Sequence, residues 1–172
     1  YTAKNSYIRA EDKLVAAVGI DDLVIVSTKD ALLVAHKERV QDAKLIANKL
    51  RESGRTEWEL QREVYRPWGK YDSVDIGARY QVKHITVNPG ARLSVQLHHY
   101  RSEHWVVVTG TAKITINDTV QSLEAGKSAY ISIGSKHRLE NETNELMALV
   151  EVQLGQYLGE DDIKRYEDIY GR

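Results

Sequence analysis

The chain has 172 residues, a hydrophobic fraction of 42%, and 24 Lys and Arg residues against 25 Asp and Glu residues. This size and composition are typical of a globular domain with an accessory segment and exclude a disordered chain. The balanced charge argues against a general affinity for nucleic acid or anionic lipid, no apolar run is long enough to span a bilayer, and the lack of cysteine excludes disulfides and thiolate metal sites.

Three short β-rich runs open the chain, at residues 14–18, 23–26 and 31–35, and polar corners separate them. Such spacing is typical of the rungs of a β-solenoid, and so few rungs make a poor independent domain. We interpret them as the end of a larger neighbour. The sequence starts without Met and without a signal-peptide core, so we expect a piece of a longer cytoplasmic protein.

A helix is predicted next, from Arg39 to Gly54, because apolar residues recur at helical spacing and a glycine stands at the end. The polar stretch Thr56–Gln61 is predicted to be a linker. We therefore divide the chain into residues 1–55, the end of a β-helical domain plus a connecting helix, and residues 56–172, a second domain.

From Val64 onward, short strands alternate with turns, a pattern that indicates an all-β barrel or sandwich spanning about residues 62–160. A short C-terminal helix is predicted from Ile163 to Tyr170, because the acidic run 159–162 can cap it. The predicted strands are Tyr80–Val87, Arg92–His98, Glu103–Thr109, Ala112–Ile116, Thr119–Leu123, Ser128–Ile131, His137–Asn141 and Met147–Leu154.

One predicted strand carries polar residues on a single face. Residues two apart share a face of a strand, so Arg92, Ser94, Gln96 and His98 point the same way. Such a face makes sense if it lines a cavity. Together with the later Glu103 and His137, it offers a mixed nitrogen and oxygen ligand set suited to zinc, iron, manganese, cobalt or nickel.

The spacing of these residues resembles the cupin family. Cupins carry the motifs G-x5-H-x-H-x(3,4)-E-x6-G and G-x5-P-x-G-x2-H-x3-N. Here the sequence has Gly90-x5-Gln96-x-His98-x4-Glu103-x6-Gly110, then Gly126-x5-Ser132-x-Gly134-x2-His137-x3-Asn141. Two positions depart from the pattern: Gln96 replaces a histidine and Ser132 replaces a proline. The first exchange matters more, because an amide is a weaker ligand than an imidazole.

The glutamine is also what makes the site similar to the zinc-dependent phosphomannose isomerases, whose cupin site uses Gln, His, Glu and His. Further segments resemble bifunctional type II enzymes that join mannose-6-phosphate isomerase to mannose-1-phosphate guanylyltransferase: residues 66–69, 89–105, 137–141, 157–172 and the β-helical opening. The nucleotide-binding signature G-x-G-x-R-L-W-P of the transferase is missing, so guanylyl transfer by this chain alone is not expected.

The resemblance implies a mainly β fold: a cupin, or double-stranded β-helix of the jelly-roll type, preceded by a short left-handed β-helix remnant and one connecting helix. It implies metal-assisted isomerisation of mannose 6-phosphate to fructose 6-phosphate, in the synthesis of GDP-mannose and polysaccharide precursors. The implied metal ligands are Gln96, His98, Glu103 and His137, with zinc expected. Substrate binding is predicted for Arg92, Lys83 and Arg138, and proton transfer for Glu151.

Three alternatives stay open. The chain could be a non-catalytic cupin that binds sugar phosphate or serves oligomerisation, a cupin of another chemistry such as epimerisation or dioxygenation, or a barrel whose polar groups satisfy one another without a metal. A small-molecule sugar phosphate is the expected partner. An exposed strand edge at the end of the β-helix also favours a homodimer.

Overall fold

The computed structural model describes residues 2–11, 13–54, 62–167 and 169–170. It is mainly β, as predicted, and it divides into two compact units, residues 1–62 and 63–172. The linker predicted at Thr56–Gln61, and with it the domain boundary predicted at residue 56, lie outside the described residues.

The first unit contains a three-stranded sheet of β1 (Tyr7–Ala10), β2 (Leu23–Ser27) and β3 (Leu32–His36). The strand predicted at residues 14–18 is wrong, because β1 takes the place beside β2. Strands β1 and β2 are parallel, and parallel neighbours need a long crossover connection. The apolar run 14–18 is part of that crossover, which leaves Leu14 almost fully exposed.

The predicted helix is present, but it begins differently. A 3-10 helix at Lys37–Asp42 comes first, and α1 follows at Ala43–Glu52. Gly54 ends it with a φ of 69°, and its N–H donates to the carbonyl of Arg51. The left-handed conformation at this position is the reason that a glycine marks the stop.

The second unit consists of two facing sheets. Their strand orders are β10-β9-β12-β7-β14 and β11-β8-β13-β6-β5-β4. The strands are β4 (Glu63–Arg66), β5 (Gly69–Gly77), β6 (Tyr80–Val87), β7 (Val95–Leu97), β8 (Arg101–Thr109), β9 (Thr111–Ile116), β10 (Thr119–Glu124), β11 (Ser128–Ile131), β12 (His137–Glu140), β13 (Met147–Gly155) and β14 (Lys164–Glu167). All eight strands predicted here are present, and β4, β5 and β14 are additional.

The inward positions of these strands divide into an apolar half and a polar half. On β8 the inward residues change from Arg101 and Glu103 to Trp105 and Val107, all buried. Strand β13 runs antiparallel to β8 and makes the same change in the opposite order, from Met147 and Leu149 to Glu151 and Gln153. Because of this register, the apolar halves meet as the core and the polar halves meet at one end of the barrel.

The C-terminal helix predicted at residues 163–170 is wrong. The acidic run does form a helical turn, but this is a 3-10 turn at Glu160–Asp162. The next residues form β14, which pairs with β7 through Arg165 and Gln96. A helix this short is marginal by itself, whereas a strand beside β7 gains ladder hydrogen bonds at once.

Asn141 ties the end of β12 to two other segments. Its side chain is 1% exposed, and its amide nitrogen donates to the carbonyl oxygens of Val87, Asn88 and Glu145. Asn141→Ala should therefore lower the free energy of unfolding of this unit by about 2–4 kcal/mol, because a buried side chain is lost and three backbone carbonyls lose their donor. Urea denaturation measures this. Asn144→Ala, an exposed change in the same loop, is the control, and equal losses in both variants would contradict the expectation.

Candidate metal centre

Three predicted ligands meet at the polar end of the barrel. His98, Glu103 and His137 are all at least 97% buried, as their exposures of 3%, 2% and 2% show, and their potential ligand atoms lie within 4.8 Å of one another. Glu103 comes from β8, His137 begins β12, and His98 follows β7. The two sheets thus contribute to one cluster, and a His, Glu and His set of this kind could hold a metal ion.

Gln96, the fourth predicted ligand, lies opposite His137 in the ladder between β7 and β12. Directly opposed residues of an antiparallel pair share a face. Gln96 accordingly lines the same cavity as His98, Glu103 and His137. The structure therefore brings all four predicted ligands to one place.

The Glu103 carboxylate is the centre of the cluster. It receives N–H groups from Trp105 at 3.0 Å and Gln153 at 3.1 Å, and His98 Nε2 lies 3.1 Å away. Burial alone would raise the pKa of Glu103. The hydrogen bond from His98 and the nearby charges, including that of Arg101, outweigh burial and hold the pKa well below its usual range. Glu103 is therefore ionised, as a metal ligand must be.

The imidazoles suit a cation as well. Burial lowers the pKa of His137 despite the opposing charge of Glu103, so the ring stays neutral, which is the form that binds metals. Its Nδ1 lies 3.0 Å from the carbonyl oxygen of Ser135, an arrangement that leaves Nε2 to face Glu103 at 3.5 Å. The Nδ1 atom of His98 is buried and has no hydrogen-bond partner among the residues that the structure describes. These donors fit a divalent cation of intermediate softness.

A second buried carboxylate, Glu151, lies beside the first. Its oxygens accept hydrogen bonds from Trp105 at 2.9 Å and Gln153 at 2.7 Å, the same two side chains that donate to Glu103. Burial, followed by repulsion from the Glu103 charge, raises the pKa of Glu151 to about 8. Two neighbouring carboxyl groups thus differ in protonation near neutral pH, a pattern that separates a proton carrier from a fixed anion.

The three predicted substrate-binding residues are placed differently from one another. Lys83 is 5% exposed and lines the cavity. Arg138 points away from it and pairs with Glu140 and Glu167, because it follows the inward-facing His137 on β12. Arg92 also lies outside the cavity lining, with its Nη1 atom 3.8 Å from Glu140 Oε1.

The position of Arg92 has a local cause. Strand β7 begins only at Val95, and the preceding residues make an isolated bridge and a single backbone bond to β12. Leu93 and Ser94 are therefore both buried, and the alternation that placed Arg92 on the face of Gln96 does not extend this far.

Sequence reasoning missed Arg101, a 1% exposed residue that lines the cavity. Its Nε atom lies 3.6 Å from Glu103, and its Nη1 donates to the carbonyl of Gly159 at 2.9 Å. The predicted strand started at Glu103, whereas β8 starts at Arg101. Continuing the alternation two residues back would have placed Arg101 on the inward face.

Comparison with known proteins now identifies the family. The model of the family described as mannose-6-phosphate isomerase C-terminal matches residues 53–168. The chain belongs to this family. A second model, for the MannoseP isomerase/GMP-like β-helix domain, matches residues 2–50. The resemblance found in the sequence is thereby confirmed for both units.

Similar curated proteins include alginate biosynthesis protein AlgA of Pseudomonas aeruginosa and mannose-1-phosphate guanylyltransferase of Escherichia coli K12. Each is 54% identical over 172 residues, which is 100% of this chain and 36% of the relative. Xanthan biosynthesis protein XanB of Xanthomonas campestris is 52% identical over 98% of the chain and 36% of its own length. This family member thus spans about a third of the length of these relatives.

Solved structures support the cupin-like fold. A variant of B. subtilis oxalate decarboxylase aligns with a TM-score of 0.55 at 18% identity, over 60% of this chain and 30% of the other. A Klebsiella pneumoniae protein with a double-stranded β-helix domain gives 0.51 at 22% identity, over 56% and 83%. At this identity the likeness concerns the fold alone. Within the described ranges, no helix combines the length and apolar character that crossing a membrane requires.

The raised pKa of Glu151 predicts a pH-dependent stability. Between pH 4.5, the ordinary pKa of the carboxyl group, and its raised pKa of about 8, the folded chain holds up to one proton more than the unfolded chain, so stability falls as pH rises. The loss is at most about 1.4 kcal/mol per pH unit. Glu151→Gln removes the carboxyl group that takes up this proton. In chelator-treated protein, the free energy of unfolding of the variant should therefore fall less steeply with pH over the same range than that of wild type.

Urea denaturation from pH 5 to 8 measures the difference. Glu124→Gln, which removes an exposed carboxylate at the end of β10, is the matched control and should keep the wild-type slope. Parallel curves for wild type and Glu151→Gln would show that Glu151 does not take up a proton on folding.

Proposed function

We propose that the chain interconverts mannose 6-phosphate and fructose 6-phosphate with the help of a divalent metal, for polysaccharide precursor synthesis. The observation that carries this proposal is the second buried carboxyl group beside the His98, Glu103 and His137 cluster. A binding module needs no such proton carrier. The family match over residues 53–168 supports the same activity, as do relatives named for alginate and xanthan biosynthesis.

In this proposal the cluster of His98, Glu103 and His137 holds the metal, and the amide oxygen of Gln96 completes the set. Zinc is the expected ion, because two imidazoles, a carboxylate and an amide offer the borderline donors that it accepts. A cation bound there would polarise the carbonyl and the adjacent hydroxyl of the open-chain sugar. Lys83 is the proposed contact to the substrate.

The isomerisation itself moves one carbon-bound proton. A base removes the proton from C2 of the aldose while the C1 oxygen gains a proton, which gives an enediol. The proton then returns to C1, and the C2 oxygen gives up its own proton to become the carbonyl. We assign the carbon-to-carbon transfer to Glu151, which lines the cavity and shares the donors Trp105 and Gln153 with Glu103. A group with a pKa near neutral suits both halves of the step.

Turnover of mannose 6-phosphate by the zinc-loaded chain tests the proposal. Fructose 6-phosphate should form, chelation should abolish its formation, and His98→Ala should lose both bound metal and activity. His104→Ala is the matched control, because His104 lies on the outer face of β8 and packs against Tyr130. It should keep both properties.

Glu151→Gln separates chemistry from binding. We expect turnover to fall by about 10²- to 10⁴-fold, the usual contribution of a positioned acid or base. Metal content and affinity for the sugar phosphate should stay near wild type, because the amide keeps the size of the side chain. A metal-loaded wild-type chain that binds mannose 6-phosphate without converting it would instead establish a non-catalytic binding module.

A further inference from the structure

An ion pair occupies the cavity next to the metal cluster. Lys83 Nζ donates to Glu160 Oε1 at 2.8 Å, and both side chains line the cavity. The two partners differ in exposure, since the side chain of Lys83 is 7% exposed and that of Glu160 is 51% exposed. Lys83 is thus a fixed, buried cation, and Glu160 is a counter-ion that faces solvent.

Two more cations, Arg66 and Arg165, line the same cavity. In the part of the chain that the structure describes, neither side chain forms a hydrogen bond or an ion pair. The guanidinium of Arg66 lies 5.8 Å from the ring of Tyr71, which also lies 4.9 Å from Lys83 Nζ. Arg165 stands opposite Gln96 in the ladder of β7 and β14. Among the described residues, Lys83 has Glu160 as its ion-pair partner, whereas Arg66 and Arg165 retain capacity for a further anion in the same cavity.

We propose that Glu160 holds the place of the substrate's phosphate. In the free protein its carboxylate neutralises Lys83. A bound phosphate takes over Lys83, together with Arg66 and Arg165, and displaces the Glu160 side chain into solvent. Only the identification of this anion as a sugar phosphate rests on the proposed function.

The backbone on both sides of Glu160 is fixed, so the side chain alone has to move. The carbonyl of Gly159 accepts from Arg101 Nη1 at 2.9 Å. On the other side, the carboxylate of Asp162 accepts the backbone N–H groups of His99 at 3.0 Å and Tyr100 at 3.3 Å. A rotation of one half-exposed side chain then suffices to vacate the subsite.

The charges explain why a phosphate would win this exchange. A buried lysine without a counter-ion is costly, so Lys83 keeps Glu160 until another anion replaces it. A phosphate dianion carries more charge than a carboxylate and suits the planar donors of arginine. An unphosphorylated sugar has no anionic group that could replace the Glu160 carboxylate as the counter-ion of Lys83. The ion pair thereby favours phosphorylated over unphosphorylated sugars in the cavity and is a determinant of substrate specificity.

Glu160→Gln tests the exchange, because the amide retains an oxygen acceptor for Lys83 and loses only the charge. Titration calorimetry with inorganic phosphate on the whole chelator-treated chain measures it without turnover and without a metal that binds the anion. Removing the competitor should tighten phosphate binding by about 2- to 5-fold, the range that a partly exposed ion pair supports. The variant should also melt at a lower temperature than wild type without phosphate and gain more from its addition.

The matched control is Glu142→Gln, which removes an exposed carboxylate paired with Lys113 outside the cavity and should bind phosphate as wild type does. Unchanged or weaker binding by Glu160→Gln would overturn the proposal. If that variant does not fold, Arg165→Gln on the exposed edge of β14 decides instead. Weaker phosphate binding supports the subsite, and unchanged binding overturns it.

Failure of the isomerase proposal would look different. If wild type shows no turnover but Glu160→Gln still binds phosphate more tightly than wild type, the anion subsite is supported and the isomerase proposal is wrong. If wild type shows turnover but Glu160→Gln binds phosphate with unchanged affinity, the isomerase proposal is supported and the proposed role of Glu160 is wrong.

Discussion

The buried charge of Glu103 is the interaction on which the polar end of the barrel depends. An isolated carboxylate in a protein interior costs several kcal/mol, and this one is 2% exposed. The indole of Trp105, the amide of Gln153 and the imidazole of His98 all approach it within 3.1 Å. Each of these groups is needed to keep the charge in place, so a change in any of them acts on all the others.

The same strands build the apolar core and the polar end. Antiparallel pairing of β8 and β13 sets Glu103 opposite Gln153 and Trp105 opposite Glu151. The two carboxyl groups and their shared donors therefore all lie on paired strands, and only His98, which follows β7, comes from outside the ladders of the cluster. The inward carboxylates are tolerated because Trp105 and Gln153 each donate a hydrogen bond to both Glu103 and Glu151.

Alternation and motif spacing were sufficient to predict the barrel strands and the clustering of Gln96, His98, Glu103 and His137, because these features repeat locally in the sequence. They failed where tertiary contacts decide. Nothing in residues 163–170 indicates that β7 offers them an open edge, so the acidic cap suggested a helix. Arg92 was misplaced because the strand containing Gln96 starts three residues later than the pattern suggested. Arg101 was overlooked because the strand containing Glu103 starts earlier. Periodicity gives the faces of a strand but leaves its ends uncertain.

Trp105 has one N–H group and donates it to both Glu103 and Glu151. Its ring also lies in the core and meets the His137 ring edge-on, with centroids 5.5 Å apart. An indole surrounded in this way has an electronic environment set by the charge state of both carboxyl groups. The barrel therefore contains its own spectroscopic reporter, and events at the polar end become visible in its absorption and emission without any added label.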